Sequence, residues 1–202
     1  MKRISALALG ILGLIGGMSL GWAQERCEVP ALKVGDEWIY KTERKEVRYR
    51  VWEVTGDGYL IGAGNIYDVN TLNVKFKVKE GKKEKATGLL RKMLNFPLFV
   101  GKKWEDTVEQ YSPRTRVRTL NYVGFSVVKQ ENVLTPAGDF NAFLISAQAV
   151  STLPDRAGGK MEGWSRLWYS PQVKFWVKRE YDPTFWPVDD DEILVRYKVR
   201  AE

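Results

Sequence analysis

Histidine is absent from this chain of 202 residues, and cysteine occurs once. Without an imidazole there is no Ser-His-Asp triad, no histidine acid or base, and none of the commonest zinc, copper or iron ligand sets. The lone Cys27 excludes an intramolecular disulfide and a thiolate-only metal site. What chemistry remains rests on carboxylates, lysine and tyrosine, and no spacing of these singles out a site. Ser165, in Gly163-Trp164-Ser165-Arg166-Leu167-Trp168, lacks the nucleophile-elbow spacing and has no ordinary base. The run Asp189-Asp190-Asp191-Glu192 lacks the interleaved Gly and Asn with which calcium loops fold round their ion, so it reads as a solvated acidic turn. No catalytic residue, no metal and no cofactor are therefore expected. A glycan hydrolase working through two facing carboxylates is the enzymatic alternative, with no spacing that identifies the pair.

The composition that is present, 44% apolar and 28% charged, is that of an ordinary globular domain. Its opening is distinct: Lys2 and Arg3 precede an uncharged apolar stretch from Ile4 to Leu20, followed by Gly21-Trp22-Ala23 with small residues where a signal peptidase reads. That stretch only just reaches the roughly 17 residues that span a bilayer, and Gly10, Gly13, Gly16 and Gly17 interrupt it. Residues 1–23 are expected to be a cleaved secretory signal and residues 24–202 a single β-rich domain, with no transmembrane anchor after cleavage. Gln24, Glu25 and Arg26 differ from the small uncharged residues of a lipid-attachment box, so Cys27 is expected to be a free thiol near a loose N-terminus. The mature chain keeps 30 basic against 25 acidic residues, a mild excess that favours solubility and suits an anionic envelope surface. The expected location is the periplasm or outside the cell, and nucleic acid is not an expected partner.

Strand signals dominate beyond residue 30. Leu72, Val74, Phe76 and Val78 alternate with Asn73, Lys75, Lys77 and Lys79, and Ile193, Val195, Tyr197 and Val199 alternate with Leu194, Arg196, Lys198 and Arg200. Val173, Phe175, Val177 and Tyr181 alternate with Lys174, Lys178 and Glu180, and Val47, Tyr49 and Val51 with Arg48 and Arg50. Period two means one buried and one wet face, so the basic residues read as outward teeth. Turn residues fall between the runs at Gly56-Asp57-Gly58, Glu80-Gly81-Lys82-Lys83, Thr135-Pro136-Ala137-Gly138-Asp139 and 154–159. The expected fold is all-β, a single antiparallel meander curling into an open barrel or half-barrel, with a two-sheet β-sandwich as the alternative. Gly88 to Phe96 is the one helix candidate, stopped by Pro97. Val34-Gly35-Asp36-Glu37-Trp38 and Val100-Gly101-Lys102-Lys103-Trp104 share a Val-Gly-x-x-Trp pattern, read as a local device in which Gly permits a sharp entry and Trp plugs the core end.

Several of the seven mature tryptophans are expected to fill the core, since each aromatic buries on the order of 150 to 250 Å². Trp52 and Trp176 instead share faces with Arg50 and with Lys174 and Lys178, which marks them as a partly covered second face or a ligand platform.

The succession Leu32 to Tyr40, Phe96 to Trp104, Thr135 to Phe143 and Trp168 to Glu180 resembles the TapB-like family of uncharacterised exported bacterial proteins. The resemblance implies an all-β exported protein and carries over no catalytic residue. Gln172 departs from the glycine-like turn of many relatives. Two functions compete: a carrier of a lipid or other amphipathic envelope molecule, and a module that pairs with another envelope protein. In the carrier reading Trp52, Trp176, Met93, Leu94 and Phe99 are the ligand-binding candidates, and Leu89 to Val100 is a lid or, more simply, a plug. Intact mass of protein taken from its own envelope tests the processing: a chain lacking residues 1–23 and free of acyl mass on Cys27 is expected, and a heavier species overturns it.

Overall fold

The computed structural model describes residues 25–112, 117–153, 159–186 and 190–200, and among them every regular element is a strand. The proposed signal segment, residues 154–158 of one expected turn, and Asp189 lie outside the described residues. The strands are β1 (Glu37–Lys41), β2 (Glu46–Thr55), β3 (Gly58–Ile61), β4 (Asn65–Tyr67), β5 (Val74–Lys79) and β6 (Lys82–Lys85), then β7 (Lys103–Ser112), β8 (Val117–Thr135), β9 (Gly138–Thr152), β10 (Lys160–Ser170), β11 (Phe175–Tyr181) and β12 (Glu192–Lys198). They form one antiparallel sheet in the order β6-β5-β4-β3-β2-β1-β12-β11-β10-β9-β8-β7. The chain thus walks outward from β1 to β6, crosses to β7 through residues 86–102, and walks back until β12 lies beside β1. The edges β6 and β7 do not pair, so the meander stays an open half-barrel, and the two-sheet sandwich is not the arrangement.

Local chemistry sets the hairpins. In Thr55-Gly56-Asp57-Gly58 and Thr135-Pro136-Ala137-Gly138 the threonine Oγ1 donates to the glycine carbonyl (3.0 and 3.1 Å) and accepts from the backbone N–H two residues on (3.2 and 3.1 Å). Both glycines take positive φ, 146° and 134°. At the β10–β11 corner the left-handed residue is Lys174 (φ 59°), so Gln172 needs no glycine-like conformation. The Val-Gly-x-x-Trp echo is a repeated local device. Gly35 (φ 92°) and Gly101 (φ 90°) donate to Val51 O (2.9 Å) and Val127 O (2.8 Å), and those valines donate back to Asp36 O and Lys102 O (both 2.9 Å). Asp36, fully buried, fastens the first copy by accepting from the N–H groups of Lys33 (2.8 Å) and Arg200 (2.9 Å).

The concave face is filled by the protein's own side chains. Trp38 stacks on Phe175 at 4.4 Å and Phe175 on Trp176 at 3.8 Å, with Tyr40 and Tyr49 against Trp176 at 5.7 and 5.3 Å. The buried polar atoms of these rings are satisfied: Trp38 Nε1 donates to Val173 O (2.7 Å) and Tyr40 OH to Trp176 O (2.6 Å).

Bulges explain where alternation misleads. A register shift opposite Ile39/Tyr40 turns β12 over, so Leu194 is buried while Tyr197 and Val199 pack on the core beyond it and Ile193 and Val195 do not. A shift at Ile66/Tyr67 does the same in β5: Val74 faces the core with Tyr67, Phe76 pairs with Ile66 on the other face, and Lys77 pairs with Asn65 on the face of buried Ile61. Trp176, expected on a face with Lys174 and Lys178, lies beside the Trp168/Tyr169 shift with 4% of its surface exposed. One extra residue in a strand reverses every later side chain.

Residues 88–96 are successive turns and no helix. Arg91 N–H donates to Gly88 O (3.2 Å) and Met93 N–H to Leu90 O (3.1 Å). The helical partner that the Leu94 N–H would need is replaced by Asn73, whose Oδ1 accepts from it (2.9 Å) while Nδ2 donates to Leu94 O (2.6 Å). Two glycines calibrate the packing. A Cβ on Gly58 would stand 2.0 Å from the Tyr67 carbonyl oxygen, whereas at Gly81 (φ 76°) it would meet nothing within 4 Å. Both substitutions strain the backbone by about 1–2 kcal/mol, so urea unfolding is expected to show a loss of about 1 kcal/mol for Gly81→Ala and more than about 3 kcal/mol for Gly58→Ala. Equal losses would mean that β4 yields freely.

Candidate functional site

The open side of the half-barrel is covered by the crossing segment, residues 86–102, which acts as a strap. Met93, Leu94 and Leu98 are buried in the core, and Leu89, Leu90 and Phe96 pack against it. Side chains of β7 hold the strap from outside: Trp104 Nε1 donates to Lys92 O (2.7 Å), Gln110 Nε2 to Thr87 O (3.0 Å), and Asp106 takes two cations. Arg91 Nε reaches Asp106 Oδ2 at 2.7 Å, its Nη2 reaches Oδ1 at 3.1 Å, and Lys92 Nζ reaches Oδ1 at 2.7 Å. Burial alone would push the Asp106 carboxyl up, but the bonds from Arg91 and Lys92 outweigh it and hold the group below its ordinary value. At the far end Lys102 Nζ caps Asn95 O (2.5 Å) and Pro97 O (3.0 Å). Cys27 pairs with Leu98 through two backbone bonds of 2.8 Å, so the chain is not loose at that residue. Burial, then Glu28 and Glu25, push its thiol up to about 11, against a smaller opposing pull from Tyr169, which makes it a poor nucleophile.

Two crevices flank Arg91 where the strap meets β5. The first, about 570 Å³, is lined by Lys75, Lys85, Arg91 and Lys92 over Val74, Leu94 and Trp104, with Asp68 as its acid. The second, about 470 Å³, is lined by Lys77, Arg91 and Arg179 among Leu89, Leu90, Phe185 and Trp186, and none of the described residues lining it is acidic. The lysines of β5 are therefore not all outward teeth, because the Ile66/Tyr67 bulge brings Lys77 to the core face.

Arg179 links the second crevice to the core. It lies over Trp176 (4.8 Å) and Tyr181 (5.1 Å), with Nη1 3.6 Å from Glu192 Oε2, and its buried Nε–H has no acceptor. Glu192 is buried and accepts from Tyr49 OH and Trp176 Nε1, both at 3.0 Å, so it is not part of a solvated turn. The other described members of the acidic run diverge: Asp190 meets Arg44 (3.1 Å) and Asp191 accepts from the Tyr181 N–H (2.9 Å). Burial and Glu192 push the Tyr49 hydroxyl well up, keeping it neutral. Burial would lower the Arg179 guanidinium, but the surrounding phenols and Glu192 raise it, so its charge is permanent.

Of the expected ligand residues, Leu94 lines the first crevice, while Met93 and Trp176 fill the core behind the strap. Trp52 stands on the outer surface, 50% exposed, in the bulge at Val51/Glu53 with Arg50 4.7 Å over its ring. Phe99 sits at the far end of the strap between Arg26 (5.4 Å) and Lys102 (5.8 Å). These five do not converge on one place. Arg179 had a signal in the sequence, since it occupies the inward position between Val177 and Tyr181. Asp106 had none.

The architecture is an open antiparallel half-barrel closed by a strap. No family model and no curated protein matches the chain. Three solved structures are similar to it. A presumed lipoprotein from Parabacteroides distasonis ATCC 8503 shares 17% identity over 87% of this chain and 100% of its own, with a TM-score of 0.46. A presumed exported protein with a YmcC-like fold from Bacteroides fragilis NCTC 9343 shares 18% over 85% and 99%, with a TM-score of 0.37. The hypothetical lipoprotein YmcC of Escherichia coli (K12) shares 10% over 71% and 74%, with a TM-score of 0.41. All three likenesses are distant.

The Asp106 clip is testable. Asp106→Asn is expected to cost about 1–3 kcal/mol, the worth of hydrogen bonds to a charged group. Because its folded-state value is lowered, the stabilisation is complete above roughly pH 5 and is lost as pH falls below the ordinary carboxylate range of about 4. Urea titrations should therefore show wild type and variant converging in acid. A gap that persists there would place the clip's worth elsewhere.

Proposed function

We propose that the chain is a non-enzymatic exported envelope protein, akin to the TapB-like group, that binds an acidic amphipathic molecule along the strap. The observation that carries this reading is the pair of crevices beside Arg91, where cations converge over apolar walls. A volume of several hundred cubic ångströms with few polar groups is the usual form of a small-molecule site. The ligand sits at the strap and outside the concave face, because the protein's own aromatic rings occupy that face. Of the expected set, Leu94 touches the ligand, Met93 and Trp176 support the wall behind it, and Trp52 and Phe99 take no part.

Two observations weigh against the rival readings. The buried carboxylates among the described residues, Asp36, Asp106 and Glu192, are each engaged by named donors, which leaves none of them poised as a glycosidase acid or base. The edge strand β6, Lys82-Lys83-Glu84-Lys85, is short, wholly exposed and lysine-rich, which disfavours pairing with another chain. Native mass spectrometry with solvent extraction, on protein taken from its own envelope, tests the reading. A stoichiometric acidic amphiphile is expected, reduced when Leu89, on the crevice wall, is replaced by Glu. An empty protein co-purifying with a partner chain would overturn it.

A further inference from the structure

From the second crevice we infer a specific head-group subsite: Arg179, with Lys77 and Arg91 at its rim, receives the anionic head of a single-chain amphiphile whose tail lies on Leu89, Leu90, Phe185 and Trp186. This rests on the proposed function and adds which crevice, which residues and which ligand class.

Three features of the crevice carry it. Its described lining holds three cations, of which Arg91 is also bound to Asp106, and no acid, an imbalance that the first crevice, with Asp68, shares less fully. Arg179 is preorganised: Trp176 and Tyr181 hold its plane, and only 19% of its side chain is exposed, so binding orders little that is not already ordered. Its guanidinium is also undersatisfied. Nη1 stands a loose 3.6 Å from Glu192 Oε2, and among the described residues the buried Nε–H has no acceptor. The part of the guanidinium that lines the crevice, beside Lys77, is suited to an oxyanion, which it binds in a planar, charge-assisted way. Glu192, which accepts from Tyr49 and Trp176, is the counter-ion of Arg179 at 3.6 Å, which leaves Lys77 to supply the excess positive charge. At about 470 Å³ the space suits one chain or ring beneath the head.

Three probes sharing one tail separate the chemistry: dodecanoate, dodecyl phosphate and a neutral dodecyl glycoside, titrated below their micelle concentrations by calorimetry and tryptophan emission. The acids are expected to bind and the neutral probe to bind at least about tenfold more weakly. Lys77→Gln, at the rim, is expected to weaken the acids about fivefold, and Lys79→Gln, two residues along β5 and away from the crevice, to leave them unchanged. Arg179→Lys keeps the charge opposite Glu192 but loses the planar fork, and is expected to weaken the acids about tenfold. Equal effects of the two lysine variants, or neutral binding as tight as acidic, overturns the subsite. If acids bind but none of these variants matters while Leu89→Glu does, the subsite fails and the wider reading stands. If no probe binds and the envelope-derived protein is empty, both fail.

Discussion

An antiparallel sheet of twelve strands whose edge strands β6 and β7 never meet has two free edges and an apolar concave face to hide. The strap covers that face and is fastened to the edge strand β7, and most of the particular features of the molecule follow from it. It lays Met93, Leu94 and Leu98 on the core, yet it cannot continue a strand or become a helix, because Asn73 and β7 have already taken its hydrogen-bonding groups. Its fastening is mostly polar and mostly at the rim, through Asp106, Asn73 and Lys102. Such groups leave gaps between them, and the crevices beside Arg91 are those gaps.

Charge at the seam is a consequence of the same geometry. Asp106 recruits Arg91 and Lys92 to hold the strap, and once there they add to the positive field of Lys75, Lys77 and Lys85 on the opposing hairpin. Arg179 is placed by a different demand, since the aromatic core offers it two ring faces and a carboxylate. The crevices are thus lined by residues whose structural duties are separate, and an anionic ligand of the kind proposed would engage cations that the fold requires in any case.

The sequence made the all-β meander legible because period-two runs and Gly, Pro, Asn and Asp turns are local signals. The paired Val-Gly-x-x-Trp entries were legible for the same reason. What failed was face assignment beyond a bulge: Lys77, Trp176 and Leu194 each lie past a register shift, and a shift is invisible to a count of alternating residues. Trp52 shares a face with Arg50, as alternation predicts, because β2 pairs without a shift from Glu46 to Arg50. Arg91 and Lys92 carry no local signal, because their role depends on Asp106, a neighbour only through the path of the strap.

The order of strands carries one further consequence, for the assembly of the fold. Every neighbouring pair in the sheet is also adjacent in the chain except one, β1 with β12. Strands β1 to β6 and strands β7 to β12 are therefore two self-contained meanders, each able to zip from hairpin to hairpin at small entropic cost. Their union is a single docking event along one ladder, whose completion stacks Trp38 on Phe175 and brings Arg200 to Asp36. The strap, tethering the outer strands of the two halves, keeps them within reach of each other until that ladder forms.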